Sequence, residues 1–426
     1  MNPRTAILSV IAAAAALGAG EARAETLQSP VPSVRDMGVA GAGDIAGDGI
    51  DAAWSNPAAL ASLYEREAFI SGAWAASETV LTDQGSVITR PGGASTPLGG
   101  APVAEAVAGR PFASAGVGWR ISRRLLAGLT LASPYASYAA PPAGAWPRYQ
   151  TTTFDLSGAD LQASLAWKAR RDLTLAIGAD VTFARLHYAA ALPNLTAGQA
   201  DGSVDFEGSG WNLGWIVGLK WSPSPRFTVG ASYRAALTRD VAGDLTVSGL
   251  AGALAPLNGA GRVQARITSP WVGSVGLQWR ATPRLTLSAD LTRTGWSRAQ
   301  GLELASPFSL PGAALIARDT TTLAAGASFE VSPGVILRAG VSDTPRAFTA
   351  NGAFADGRQF TYAAGVSYAL GPAMDIDAAL SWSDSGPEVI DQPLSAYAGA
   401  QFTDLRLRGL WQTRRAVFAL AIRRRL

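Results

Sequence analysis

The sequence predicts an all-β protein, a 14-stranded antiparallel transmembrane β-barrel with an N-terminal hatch inside its lumen. Three observations predict it. Apolar and polar residues alternate with period two along most of the chain. The connections alternate between short polar turns and long loops rich in Gly, Pro and Ala. An export signal opens the chain, yet no later apolar run is long enough for a spanning helix.

Residues 1–24 form the export signal. Arg4 supplies the basic start, an apolar run extends from Ala6 to Gly20, and Ala22-Arg23-Ala24 offers the small-x-small pattern that signal peptidase reads. Cleavage is expected after Ala24, and the mature protein is expected in the bacterial outer membrane. The chain contains no cysteine, so disulfides play no part in its stability. A single histidine, His187, excludes most metal sites built on His and Cys, and neither metal nor cofactor is expected. The net charge of +3 over 426 residues is nearly balanced and calls for no nucleic-acid partner.

Residues 25–64 precede the first strong strand. Their stretch "GAGDIAGDGIDAAWSNPAAL" (41–60) is too rich in small residues for a core and too broken by glycine for a good helix. Asn56-Pro57 favours a turn. Small residues with short polar side chains suit a plug packed in a polar lumen, whereas a flexible periplasmic tail is the plainer alternative.

The barrel is expected over 65–426, with strands near 65–78, 111–121, 125–138, 148–168, 172–189, 205–221, 227–240, 263–280, 285–299, 318–330, 335–343, 358–369, 374–383 and a last one ending at Leu426. In "DLTLAIGADVTFA", Leu173, Leu175, Ile177, Ala179, Val181 and Phe183 take one face, and Thr174, Gly178, Asp180 and Thr182 share the other. "RFTVGASYR" and "RLTLSADLTRT" repeat the pattern, placing Arg234 and Asp290 on polar faces. A soluble sandwich also alternates, but it has no reason to sort tight turns to one end and long loops to the other. Residues 402–411 are left over, as an extended part of the last loop or part of a further hairpin.

No enzymatic constellation emerges. "GAGDIAG" has the outline of a dinucleotide fingerprint but lacks the preceding strand and following helix. The acids of "DIAGDGID" lack calcium-loop spacing, and His187 has no nucleophile partner in the pattern.

The segment "MGVAGAGDIAGDGIDAAWSNPAAL" resembles the N-terminal hatch of the long-chain fatty acid outer-membrane transporters, the FadL (OMPP1/TodX-type) family, including Asn56, Pro57 and Ala58. The resemblance continues in order through "SPYASY…AWPRY" (133–149), the stretch 208–235, "TRTGWS" (292–297), "LRAGVSDTPR" (337–346) and "DGRQFTYAAGVSYAL" (356–370). It implies passive uptake of a hydrophobic small molecule, with long-chain fatty acids first. Capture would occur among the outer loops and release sideways through a gap at a kinked third strand. Ser133, Pro134 and Tyr135 fall at that kink, since proline cannot donate to the ladder; the alternative is that Pro134 ends the strand at the outer rim. Candidate polar residues on the substrate side are Arg148, His187, Arg234 and Asp290.

Two departures matter. The chain ends in Leu426 where the family ends in an aromatic residue. The outer end of the fifth strand offers Arg185 and His187 and then no cation, which leaves room for an aromatic or neutral hydrocarbon instead of a fatty acid. The expected partners are that substrate, outer-membrane lipids and lipopolysaccharide, and the barrel-assembly machinery, with the protein a monomer. A structural or adhesive barrel that never opens and an open general porin are the rival readings.

Overall fold

The computed structural model describes residues 33–426 apart from 134–136, 143, 299–302, 306–317, 348–356 and 398. The export signal therefore lies outside the described residues, as do Pro134 and Tyr135.

The wall is a closed ring of fourteen antiparallel strands. They are β1 Arg66–Asp83, β2 Val103–Arg120, β3 Leu125–Ala132 with a further stretch Ser137–Ala139, β4 Thr153–Lys168, β5 Leu173–Leu192 and β6 Gly202–Ser224. Then come β7 Phe227–Arg234 continued by Leu237–Ser248, β8 Gly259–Ser269 continued by Val272–Arg280, β9 Leu285–Thr294 and β10 Thr320–Ser332. The ring ends with β11 Val335–Thr344, β12 Gln359–Ala369, β13 Met374–Asp384 continued by Glu388–Ala396, and β14 Thr403–Arg425. Closure is made by β14 on β1, in unbroken register from Glu67↔Arg425 to Asp83↔Gly409. A closed ring pairs backbone groups that hydrocarbon would otherwise leave unsatisfied.

The strand order is the expected one; β7 and β13 run outward past their expected ends, to Ser248 and Ala396, and three further corrections concern the two ends of the ring. The first strand runs on to Asp83, and the second begins at Val103, eight residues before its expected start at Pro111. Residues 402–411 are not a loop or an extra hairpin: Thr403 onward is the outer half of the closing strand.

Alternation decides what faces lipid. Ile70, Leu161, Ile177, Leu213, Val275, Leu291, Leu323, Leu380 and Phe418 are all exposed, a band that would be an aggregation hazard on a soluble protein and is the lipid face of a barrel. Outward aromatics gather toward the turn side (Trp167, Trp221, Phe227, Trp279, Phe329, Tyr368) and toward the loop side (Trp211, Trp215, Tyr233, Phe360, Tyr362, Trp382), as the two girdles of a membrane barrel do. The opposite parity carries Asp160, Asp180, Asp290, Asp375 and Asp377, all buried.

Residues 33–63 pack against this inner face. They begin with a short helix, α1 (Val34–Met37), capped by Ser33, and end with a 3-10 turn at Pro57–Ser62 capped by Asn56. Their contacts reach opposite sides of the ring. Val39 meets Gly326 and Gly340 on β10 and β11, while Ile50 and Leu60 meet Gly128 on β3.

Candidate functional site

The inner wall carries three bands, each set by the side chains that the strands turn inward. The lowest seats the N-terminal segment. Inward positions there are glycines, and a Cβ would collide with that segment: at Gly230 it would lie 2.0 Å from the Ile45 carbonyl oxygen, at Gly340 2.2 Å from Val39, and at Gly218 2.1 Å from the Asn56 side chain. Backbone thus lies on backbone, which only glycine permits.

Polar contacts fix the same seat. The fully buried Asn56 accepts a hydrogen bond from Ala58 N (3.0 Å) and donates to the carbonyls of Ile45 (2.7 Å) and, on the wall, Leu219 (3.0 Å). Ile45 N donates to Asp290 (3.2 Å). Lys220 of β6 donates to the Gly47 carbonyl (2.5 Å) and pairs with Asp48. Burial works against the charge of Asp48, but Lys220 outweighs it and holds the carboxyl below its usual range. Burial likewise opposes Asp51, where Arg35 and then Arg423 prevail and lower its pKa. Asp44 has no such cation. Burial, then the carboxylates of Asp36 and Asp290, push it well above the usual range.

Above the seat lies a polar floor centred on Arg234. Its guanidinium pairs with Asp180 and Asp160, donates to Gln162 Oε1 (2.7 Å) and the Trp54 carbonyl (2.6 Å), and stacks 4.1 Å over the Trp54 ring. Trp54 Nε1 returns a bond to Asp160 (3.2 Å), and Gln162 donates to the Ala53 carbonyl (2.8 Å). Removal of either carboxylate would leave Arg234 poorly compensated in a dry site.

The third band inverts the chemistry of the lumen. On β5 the inward series Thr174, Asp180, Thr182 gives way to Ala184, Leu186, Tyr188, Ala190 and Leu192. Phe154 and Leu156 on β4, Val204 and Phe206 on β6, Val241 and Leu245 on β7, and Leu405 and Leu407 on β14 join them in one buried apolar cluster. Trp146 and Tyr149, from the loop between β3 and β4, close it from above. Charge moves to the outer surface at this level, as in the pairs Arg406–Asp391 and Arg266–Asp240.

One side of the ring is unzipped. The ladder between β2 and β3 runs from Arg120↔Leu126 to Ala115↔Leu131 and, among the described residues, goes no further. The stretch Ser137–Ala139 pairs with β4, so among the described residues 103–114 of β2 are laddered to β1 alone. Across this seam Arg110 Nη2 meets Asp155 of β4 at 2.7 Å.

The sequence-selected residues divide accordingly. Asn56, Pro57 and Ala58 lie together at the seat, Asp290 beneath Ile45, and Arg234 in the floor. Arg148 sits in the loops above the apolar band, tied to Asp201 (3.0 Å) and the Leu98 carbonyl (3.0 Å). Ser133 is half-buried at the end of β3, beside the undescribed Pro134 and Tyr135. His187 is a correction: it shares the parity of Arg185 on the outward face, where its ring meets Asp205 at 3.0 Å, because Leu186 and Tyr188 take the inward positions. Arg110, Asp155 and Asp160 were missed. For Arg110 a signal existed, since Pro111 beside it marks a strand with an edge that needs no donor.

A barrel with lipid-facing girdles and an apolar cluster on the outer part of its inner wall has the architecture of an outer-membrane protein, and comparison with known proteins agrees. Residues 15–425 match the family model described as outer membrane protein transport protein (OMPP1/FadL/TodX), and the chain belongs to that family. A curated relative from Neisseria meningitidis serogroup B, named for the outer membrane, is 26% identical over 206 residues. That match covers 42% of this chain and 44% of the relative, so the chain spans less than half of its length. Among solved structures, a Pseudomonas aeruginosa FadL homologue superposes with a TM-score of 0.80 at 20% identity, covering 94% of this chain and 100% of that one. The Ralstonia pickettii toluene transporter TbuX gives 0.64 at 19% identity, with 94% and 99% covered. These likenesses concern the fold.

Proposed function

We propose that this protein is a passive channel through which hydrophobic small molecules enter across the outer membrane, long-chain fatty acids first among them. The observation that carries the reading is the inversion of the inner wall. Apolar side chains line it above Thr182 and polar ones below, so a greasy solute is held above a polar floor and a filled lumen. Residues 25–64 act as the hatch of that lumen, the signal is removed after Ala24, and residues 65–426 form the wall. Lipopolysaccharide and lipid bathe the outer face, the barrel-assembly machinery inserts the chain, and it works as a monomer. The reaction is transfer and not catalysis.

Exit is sideways. An apolar chain gains about 0.8 kcal/mol per CH₂ by avoiding water, so release into lipid is downhill and release through a wet pore is not. The edge of β2 that is unladdered among the described residues is the opening, and Ser133, Pro134 and Tyr135 are proposed as the kink that provides it. Pro134→Val, which supplies the missing donor, is expected to cut uptake severalfold in cells while the barrel still assembles. Unchanged uptake would remove the seam from the path.

A second reading, neutral or aromatic hydrocarbons, is favoured by one observation: Arg148 and Arg234 are each already committed to carboxylates. Binding of radiolabelled oleate and of toluene to the detergent-folded protein separates the two. Fatty-acid transport predicts saturable oleate binding that toluene displaces poorly; hydrocarbon transport predicts the reverse. A protein that binds neither is a structural barrel.

A further inference from the structure

We propose that one arc of the turn-side rim is a docking surface for anionic phospholipid, its arginines holding phosphodiester headgroups of the inner, periplasm-facing leaflet. The inference goes beyond the transport reading, since it concerns what the outer wall binds and not what the lumen passes.

Placement comes first. The turn between β2 and β3 carries Arg123 and Arg124, and the turn between β4 and β5 carries Arg170 and Arg171, all exposed. The ladder sets the two turns side by side: Leu125 lies opposite Trp167, and Lys168 N donates to the Arg124 carbonyl at 2.8 Å. The exposed Arg66 and Arg424 extend the patch across the closing strands, on the same outward parity as Ile70 and Phe418.

Charge comes second. Among the described residues, the one ion pair made by these six arginines joins Arg170 to Asp172, at 3.4 Å. The loop-side end of the wall is different. There the exposed Arg185 is matched by Glu207, Arg266 by Asp240 and Arg358 by Asp343. The basic rim is also one-sided, because the turns 332–335 and 370–373, which follow β10 and β12, hold no charged residue. Arginines gathered without carboxylates repel one another, and an external anion relieves that repulsion.

Depth comes third and selects the anion. Trp167 and Trp221 of the turn-side girdle are exposed beside these turns. Trp221 lies opposite Leu173, and its Nε1 donates to Asp172 at 3.0 Å. A girdle of this kind marks the headgroup level, and short turns face the periplasm, so the arginines stand among inner-leaflet headgroups. A guanidinium forks onto phosphate oxygens while its stem lies along apolar surface. A zwitterionic headgroup brings its own cation and gains less from the arc. An anionic one is the occupant that charge and depth both favour.

The test folds the full chain into phosphatidylcholine bilayers, where spin-labelled phosphatidylglycerol and phosphatidylcholine report the lipid held at the protein surface. Phosphatidylglycerol is expected to associate severalfold more strongly at low salt. The preference is expected to approach unity in about 1 M sodium chloride, where charges interact over only about 3 Å. The combined variant Arg123→Gln, Arg124→Gln, Arg170→Gln and Arg171→Gln is expected to lose roughly fivefold, the scale of one arginine at an anionic surface. Arg406→Gln with Arg408→Gln, at the loop-side end, is expected to keep the preference.

Equal association of the two lipids with the wild type would overturn the docking surface, and a preference that survives the combined variant would overturn its location. Loss of the preference in inorganic phosphate at constant ionic strength would assign the arginines to a soluble anion and overturn the lipid. Heat-modifiable migration on SDS gels confirms that each variant is a folded barrel before any of these conclusions is drawn. Uptake of hydrophobic solutes is a separate measurement, so failure here leaves the transport reading standing.

Discussion

At the scale of single residues the N-terminal segment is held by opposed electrostatics, and that opposition makes its packing sensitive to pH. Asp48 and Asp51 titrate below the usual carboxylate value of about 3.9, so they stabilise the packed segment above that value. This part is lost as pH falls through their lowered pKa values. Asp44 is the reverse case: its raised pKa means that the packed state holds a proton the free chain has given up. Its contribution is complete below about pH 3.9 and is lost as pH rises through the raised value. Hydrogen exchange of residues 38–50, corrected for intrinsic rates, is therefore expected to be faster at pH 9 than at pH 5, and Asp44→Asn is expected to flatten that rise. Asn56 tests the polar side of the same seat. Asn56→Ala removes a cap and strands the Ile45 and Leu219 carbonyls, a loss of about 2–3 kcal/mol of anchoring from a cap and a buried bond. Exchange protection of the Ala58 amide reports it; unchanged protection would mean that the side chain only fills space.

At the scale of elements the wall glycines make a sharper prediction. Gly230→Val and Gly340→Val place β-branched side chains in strands, which accept them readily, yet each Cβ would enter the backbone of the N-terminal segment. The barrel is expected to assemble, and trypsin to cleave after Arg35, which the wild type shields with Asp51 at 2.5 Å. Resistance at Arg35 in both variants would contradict the seat. This seat was half legible in the sequence. Glycines recurring at one parity in "VGASYR", "AAGASFE" and "LRAGVSD" were visible, but not what they face. The strands themselves were legible wherever one side meets lipid, because Leu, Val and Ile then recur at every second position. Legibility ends where that contrast ends. In β14, "DLRLRGLW" carries Arg406 and Arg408 outward and Leu405 and Leu407 inward, the inverse of its membrane half, and so it reads as a loose end. The start of β2 failed for another reason: Pro111 looks like a boundary, yet it lies within the strand where, among the described residues, no β3 ladder asks for its donor. The inward apolar cluster was hidden by the same inversion, since a polar inner face was expected. His187 is expected inward, yet it stands two residues from the exposed Arg185 and shares its face, between the inward Leu186 and Tyr188.

At the scale of the molecule, closure and filling together set what crosses the barrel. A wall of fourteen strands encloses a lumen wide enough to need an occupant. Residues 33–63 touch the wall on opposite sides, from Gly128 on β3 to Gly340 on β11, so the segment reaches across the lumen. The match is also one of charge. The segment carries Arg35 against Asp36, Asp44, Asp48 and Asp51, a formal balance of 1 − 4 = −3, and the wall answers with Lys220, Arg338 and Arg423. In a planar bilayer the wild type is therefore expected to show low steady conductance in potassium chloride. A chain lacking residues 33–63 keeps every wall strand and its closing β1–β14 register, and is expected to conduct as an open pore. Heat-modifiable migration distinguishes an emptied barrel from an unfolded one, and uptake of a hydrophilic sugar distinguishes a pore from a leak at the protein–lipid boundary. A large steady current through the wild type would mean that the segment does not seal the lumen. The apolar band would then stand over an open pore, and sideways release would lose its physical reason.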